Sequence, residues 1–216
     1  MSIEENLKKI KKEIPAYVTL IAVSKTKPTT DIEKAYKSGQ LDFGENKVQE
    51  LMKKVKILPS DIKWHMIGHL QRNKVKDILP IIHMIHSVDS LRLIKEIDKQ
   101  AGKIERKISL LLQVDISQDE TKYGFSFKDL ESILKSNELD NFKNISIDGL
   151  MGMASFTENS EIIKAEFKKL SSLFDKFKKK YFLKYLSLGM SGDYKIAIEC
   201  NSNMVRLGSN IFGSRN

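Results

Sequence analysis

One pattern constrains this chain more than any other: short apolar, β-branched runs recur along its length, each followed by a segment with helical spacing. The runs are Leu20 to Val23, Leu41 to Phe43, Ile62 to Ile67, His83 to Val88, Ile108 to Ile116, Ile145 to Leu150, Leu183 to Leu188 and Met204 to Leu207. Continuous apolar runs of this length read as strands buried on both faces, and strands separated by helices pair in parallel. Eight alternating units predict closure into a single α/β barrel, a (β/α)8 or TIM barrel, with an open doubly wound sheet as the alternative. The chain has 216 residues, at the small end of the range of about 200 to over 400 for such barrels. That suits one α/β domain over residues 1–216, with no linker, long repeat or low-complexity tract.

The helical segments carry their own signals. Ser2-Ile3-Glu4-Glu5 has the form of a capping box, and Ile3, Leu7, Ile10 and Ile14 repeat at helical spacing up to Pro15. This extra amino-terminal helix is expected to fill the eighth place in the outer ring, because no helix is expected after the last strand. Thr30-Asp31-Ile32-Glu33 reads as a second capping box, opening a helix closed by Ser38-Gly39. Gly44-Glu45-Asn46 reads as a turn, and Val48, Leu51, Met52 and Val55 as the stripe of the next helix. Further helices are expected from Leu70 to Leu79, from Ser90 to Gly102, from Ser126 to Ser136, from Glu161 to Phe177 and from Asp193 to Cys200.

The net charge of +9 raises the question of a nucleic-acid or membrane surface. The excess is lysine scattered through helical segments, while arginine is confined to Arg72, Arg92, Arg106, Arg206 and Arg215. Base reading favours arginine with interleaved aromatics, so solvated helix faces are the better reading. No stretch approaches the roughly 20 apolar residues of a membrane span, and the amino terminus lacks the regions of a signal peptide. The lone Cys200 cannot form an internal disulfide and reads as a small buried side chain. A cytoplasmic protein that binds neither nucleic acid nor membrane is expected.

Within a barrel, functional residues gather where strands give way to helices, and the turns after the last two strands make the phosphate site. Lys25 stands at the carboxyl end of the first buried strand, in Leu20-Ile21-Ala22-Val23-Ser24-Lys25. The turn after the seventh strand is Ser187-Leu188-Gly189-Met190-Ser191-Gly192-Asp193, and the turn after the eighth is Arg206-Leu207-Gly208-Ser209-Asn210. Glycines let backbone N–H groups approach an anion, hydroxyls add donors, and a helix amino terminus adds a favourable dipole. Either turn alone is ordinary; both fall where a barrel predicts phosphate. Neither standard nucleotide loop is present. A phosphate cradle facing a strand-end lysine points to a phosphorylated aldehyde held as a Schiff base, with pyridoxal 5'-phosphate (PLP) the obvious candidate.

The motifs Ala22-Val23-Ser24-Lys25-Thr26-Lys27-Pro28, Phe43-Gly44-Glu45-Asn46, Trp64-His65-Met66-Ile67-Gly68-His69-Leu70-Gln71, Gly149-Leu150-Met151-Gly152-Met153-Ala154, Leu188-Gly189-Met190-Ser191 and Met204-Val205-Arg206-Leu207-Gly208 occur in this order. Together they closely resemble the pyridoxal phosphate homeostasis protein family, single-domain relatives of the barrel half of alanine racemase. The resemblance runs from the first strand to Phe212-Gly213 and implies a fold-type III barrel with PLP on Lys25. It implies further that Asn46 lies near the ring, that Ser191, the backbone around Met190, Gly208 and Ser209 hold the phosphate, and that Arg206 faces the pyridine nitrogen. Ser209 stands where threonine is commoner, and Leu188 where methionine is frequent. A protonated arginine only donates, so it weakens the ring as an electron sink.

The expected function is a non-catalytic carrier that limits the free aldehyde and delivers it to PLP-dependent apoenzymes. The racemases that resemble this barrel carry an additional carboxyl-terminal domain, and the end of this chain at Asn216 leads us to expect none here and to expect a monomer. The alternative is a small PLP-dependent amino-acid racemase; a lysine-rich nucleic-acid binder is a third reading.

Other candidates weigh less. His65 and His69 are interrupted by Gly68 and lack a completing carboxylate, so no metal site is expected, and His65 is placed at the pocket mouth. His83 and His86 are expected on opposite faces of one strand. Met151 and Met153 read as core, Asp115, Glu120 and Lys122 as a polar loop over the pocket, and Lys27 as a solvated turn lysine.

Overall fold

The computed structural model describes residues 2–117 and 123–213. Its strands are β1 (Thr19–Val23), β2 (Asp42–Glu45), β3 (Lys63–Met66), β4 (Ile82–Val88), β5 (Ile108–Val114), β6 (Ile145–Gly152), β7 (Tyr185–Ser187) and β8 (Met204–Leu207). They form a closed parallel barrel in sequence order, with β8 returning to β1 through Thr19↔Met204, Leu20↔Val205, Ile21↔Arg206 and Ala22↔Leu207. The doubly wound alternative is therefore excluded.

Around the barrel run α1 (Ile3–Glu13), α2 (Thr29–Lys37), α3 (Val48–Lys54), α4 (Val75–Ile78), α5 (Leu91–Lys103), α6 (Phe127–Lys135), α7 (Ser160–Tyr181), α8 (Tyr194–Glu199) and α9 (Ser209–Phe212). Along β1 the side chains divide by parity. Leu20 and Ala22 join the large core beneath the helices, while Ile21 points into the barrel with Met84, Leu111, Met151 and Met204. Unbranched methionines fill this irregular interior by bending to its shape.

The amino-terminal capping box forms as expected: Ser2 Oγ accepts from Glu5 N at 3.1 Å, and Ser2 N donates to the Glu5 carboxylate at 2.8 Å. Helix α1 takes the open place in the ring, tied to α9 through Asn6 Nδ2 to the Ile211 carbonyl and to α8 through Tyr194 OH to Glu13.

Several expectations change. The Thr30 capping box does not form, because the cap lies two residues earlier, at Pro28 with φ −66°, whose carbonyl takes the Asp31 and Ile32 amides. A one-turn helix, α9, follows β8. The segment from Leu70 to Leu79 yields a single 3-10 turn, Arg72–Lys74, and then α4, since Gln71 is extended. Gly44 and Glu45 belong to β2 rather than to a turn. Gly44 pairs with Val23 and His65, and a Cβ there would lie 3.0 Å from Ile21 and Ile67, so its missing side chain makes room inside the barrel. Among the described residues, no helix is long and apolar enough to cross a membrane.

Candidate cofactor pocket

At the carboxyl end of the barrel, Lys25, Asn46, Met190, Ser191, Arg206, Gly208 and Ser209 line one cavity of about 300 Å³, with Val23, Ile67 and Met153 as its apolar wall. Ligand sites begin at about this size.

Lys25 is aimed by a strained turn. Thr26 adopts φ 65°, a left-handed conformation that a β-branched residue reaches only when its surroundings hold it there. The holding groups are identifiable. Thr26 N donates to Glu50 at 2.6 Å, Ser24 Oγ donates to Glu45 at 2.6 Å, and Lys54 Nζ reaches the Ser24 carbonyl at 2.8 Å. Lys54 also pairs with Glu45 and Glu50, both at 2.7 Å. Burial pushes the Glu45 carboxyl up, against the bonds from Lys54 and Ser24, and its second oxygen has no hydrogen-bond partner among the described residues. Sequence reasoning missed this cluster. Its available signal was Lys54, a charge three residues after Leu51 on the buried stripe of α3.

Asn46 follows β2 and is fixed from behind by Gly68, where a Cβ would lie 2.4 Å from the Asn46 carbonyl oxygen. On the opposite wall, Gly208 N donates to Ser191 Oγ at 3.2 Å, stitching the two glycine-rich turns together. Gly189 bends the first of these turns at φ 93°. The Met190 amide is already bonded to Asp193 Oδ1 at 2.6 Å, a carboxyl whose pKa is raised by burial against that same bond. Asp193, which the sequence placed only at a helix start, thus holds the turn that carries Met190.

Lys27 is not a solvated turn lysine. It lines the cavity, and its Nζ crosses to the Phe212 carbonyl at 3.1 Å, because the one-turn helix after β8 brings carbonyls within reach.

Arg206 is buried at 4% exposure yet reaches the cavity. Nη1 donates to the Ser187 carbonyl at 2.9 Å and to Ser187 Oγ at 2.5 Å, and Nη2 donates to the Gly152 carbonyl at 3.0 Å. Burial lowers its pKa to about 10, opposed by the charge of Asp193, which leaves a cation at neutral pH.

His65 is not at the pocket mouth but inside the barrel, between Asp42 at 3.0 Å and His86 at 2.9 Å. His83 is exposed and His86 buried, and their rings lie 5.2 and 5.1 Å from that of His65, where the β3–β4 ladder slips between Trp64 and His65. His65 thus meets Asp42 and His83, with potential ligand atoms within 4.8 Å of one another, rather than His69. His69 pairs with Asp89 and stacks on Tyr123 at 4.2 Å. Met151 is fully buried, whereas Met153 faces the cavity. Asp115 accepts from Ser117 Oγ; Glu120 and Lys122 lie outside the described residues.

The family model for the alanine racemase N-terminal domain matches residues 1–216. The chain is similar to the pyridoxal phosphate homeostasis protein of Aquifex aeolicus, at 38% identity over 91% of this chain and 86% of that protein. It is similar to the protein of the same name from Synechocystis, at 37% identity over 94% of each chain. Among solved structures it is similar to PipY of Synechococcus elongatus with PLP bound, with a TM-score of 0.89 and 33% identity over 98% of this chain and 100% of that one. By sequence, fold and extent of match, the chain belongs to the pyridoxal phosphate homeostasis protein family, built on the alanine racemase N-terminal domain.

Proposed function

We propose that this protein holds pyridoxal 5'-phosphate covalently on Lys25, limits the free aldehyde and delivers the cofactor to PLP-dependent apoenzymes. The observation that carries the proposal is the shared cavity, in which an amine from β1 faces a glycine and hydroxyl wall from β7 and β8 beside the Arg206 cation. Attachment is a condensation: Nζ forms a bond to the aldehyde carbon and one water leaves. Ser191 Oγ, which accepts from the Gly208 amide, and the Ser209 amide would donate to phosphate, with the Gly208 and Met190 backbone beside them. Asn46 would lie against the ring substituents. When bound, the group supplies an electron-accepting ring, and Arg206, able only to donate to the ring nitrogen, disfavours its protonation. Such a site suits storage better than carbanion chemistry.

The relatives named for pyridoxal phosphate homeostasis and the PLP-bound structure of PipY support this reading. A small amino-acid racemase is the second reading, favoured by the matching alanine racemase domain. We place the protein in the cytoplasm, as a monomer, where its single cysteine needs no partner.

Incubation with PLP, followed by transfer to an apoenzyme whose activity reports delivery, tests the carrier. We expect transfer from the wild type and none from PLP-treated Lys25→Ala after gel filtration. Racemisation of single-enantiomer amino acids at a useful rate, lost in Lys25→Ala, would establish the racemase instead.

A further inference from the structure

Beneath the pocket, the barrel interior contains a line of polar side chains where apolar packing would suffice. Asp42 Oδ1 lies 3.0 Å from His65 Nε2, His65 Nδ1 lies 2.9 Å from His86 Nε2, and His86 Nδ1 lies 3.5 Å from Ser187 Oγ, which accepts from Arg206 Nη1 at 2.5 Å. Asp42 opens β2 at the amino-terminal mouth, so the line runs from the barrel floor to the pocket. We propose that Asp42, His65, His86 and Ser187 are positioning residues for Arg206, forming one directional hydrogen-bond chain that anchors the pocket guanidinium to a carboxylate at the far mouth of the barrel. The consequence for the cofactor rests on the reading that Arg206 faces its ring.

The direction follows from what each group can do. A carboxylate only accepts, so His65 Nε2 carries the proton given to Asp42. His65 is held neutral by burial, against the opposing charge of Asp42, so its Nδ1 is a lone pair and must accept. The donor is then His86 Nε2–H. His86 is pushed well below its ordinary value by burial and by the nearby His65, Arg206 and His83, so its Nδ1 in turn accepts, and Ser187 Oγ–H is its donor. Ser187 is free to give that proton because it accepts from Arg206. Every donor points from cation to anion, and reversing one link leaves a buried group unsatisfied.

Other charged or titratable groups act at both ends: Lys63, His83 and Arg106 near the floor, and Asp193 near Arg206. With His65 Nε2–H committed to Asp42, the Asp42, His65 and His83 group reads as the chain's terminus rather than as a metal centre.

Two measurements on the full chain test the proposal. Long-range 1H–15N correlation spectra of histidine-labelled protein report tautomers without cofactor. We expect His65 and His86 to be neutral Nε2–H tautomers at pH 7, and an Nδ1–H tautomer or a charged ring at either position overturns the chain. The second measurement compares PLP-loaded wild type, Asp42→Asn and His86→Phe. We expect PLP release to quicken by roughly five- to tenfold, and the pH midpoint of the visible band to move, with melting of the PLP-free proteins reported alongside. Asp42→Asn keeps the shape at a part-exposed position, so it remains informative if His86→Phe fails to fold. Unchanged release and midpoint in a folded variant overturn the positioning role. A wild type that takes no PLP overturns the cofactor reading, while the tautomers still judge the chain.

Discussion

Lys54 Nζ lies 2.8 Å from the carbonyl oxygen of Ser24, the residue immediately before Lys25. A buried ammonium on α3 therefore sets the backbone from which the pocket amine springs. The same ammonium compensates Glu45 inside the fold and binds Glu50, which in turn holds the strained Thr26 amide.

Lys54→Met keeps the length of the side chain but leaves Glu45 buried without its cation. Removing one partner of a buried pair costs about 3–5 kcal/mol. We expect a lower melting temperature and weaker PLP retention, because the turn at Thr26 loses its clamp. A Lys54→Met, Glu45→Gln double variant should recover part of the stability without restoring retention.

Gly68→Ala tests the close approach behind Asn46. The new Cβ would lie 2.4 Å from a backbone oxygen, which cannot swing aside as a side-chain tip can. Overpacking of this kind costs about 1–3 kcal/mol. Denaturant melts should show that loss, and PLP retention should fall with it as Asn46 shifts.

Ser191→Ala removes the acceptor for the Gly208 amide. The loss of one hydrogen bond costs about 1 kcal/mol, a small change in melting. Retention of PLP should fall further than stability does, because the same hydroxyl is assigned to the phosphate. Equal retention in wild type and variant would remove Ser191 from the phosphate site.

Stability should fall as pH drops below the ordinary histidine value of 6.5. His65 and His86 are both held below it by burial, so the unfolded chain takes up protons in a window where the native interior refuses them. The unfolded state binding more protons means stability rises with pH through that window, by up to about 1.4 kcal/mol per pH unit for each such group. Glu45 acts in the opposite sense, since its raised value favours the folded state at low pH. Comparing urea melts of wild type and His86→Phe between pH 5 and 7.5 isolates one histidine, and the variant should show the shallower slope.

The barrel was legible because short, largely apolar strands alternate with helical segments, and Met204 to Leu207 fits the observed β8 residue for residue. Boundaries failed where one residue type serves two purposes. Gly44 has the composition of a turn, but here glycine clears space in a strand interior. Thr30 has the form of a cap, but the preceding proline had already set the helix start. The pocket wall could be read because a barrel dictates where its turns converge. The buried pair His65 and His86 could not, because their contact joins two strands whose register slips between Trp64 and His65. Lys27 escaped for a similar reason, since its partner carbonyl belongs to a one-turn helix nearly the whole chain away.

Among so many lysines, we assign the cofactor to Lys25. Borohydride reduction of the PLP-treated protein, followed by peptide mass mapping, reads that attachment directly. We expect a single reduced adduct on the peptide bearing Lys25, and none in Lys25→Ala; an adduct on Lys27 or another lysine in the wild type, or an equal yield in Lys25→Ala, would contradict it.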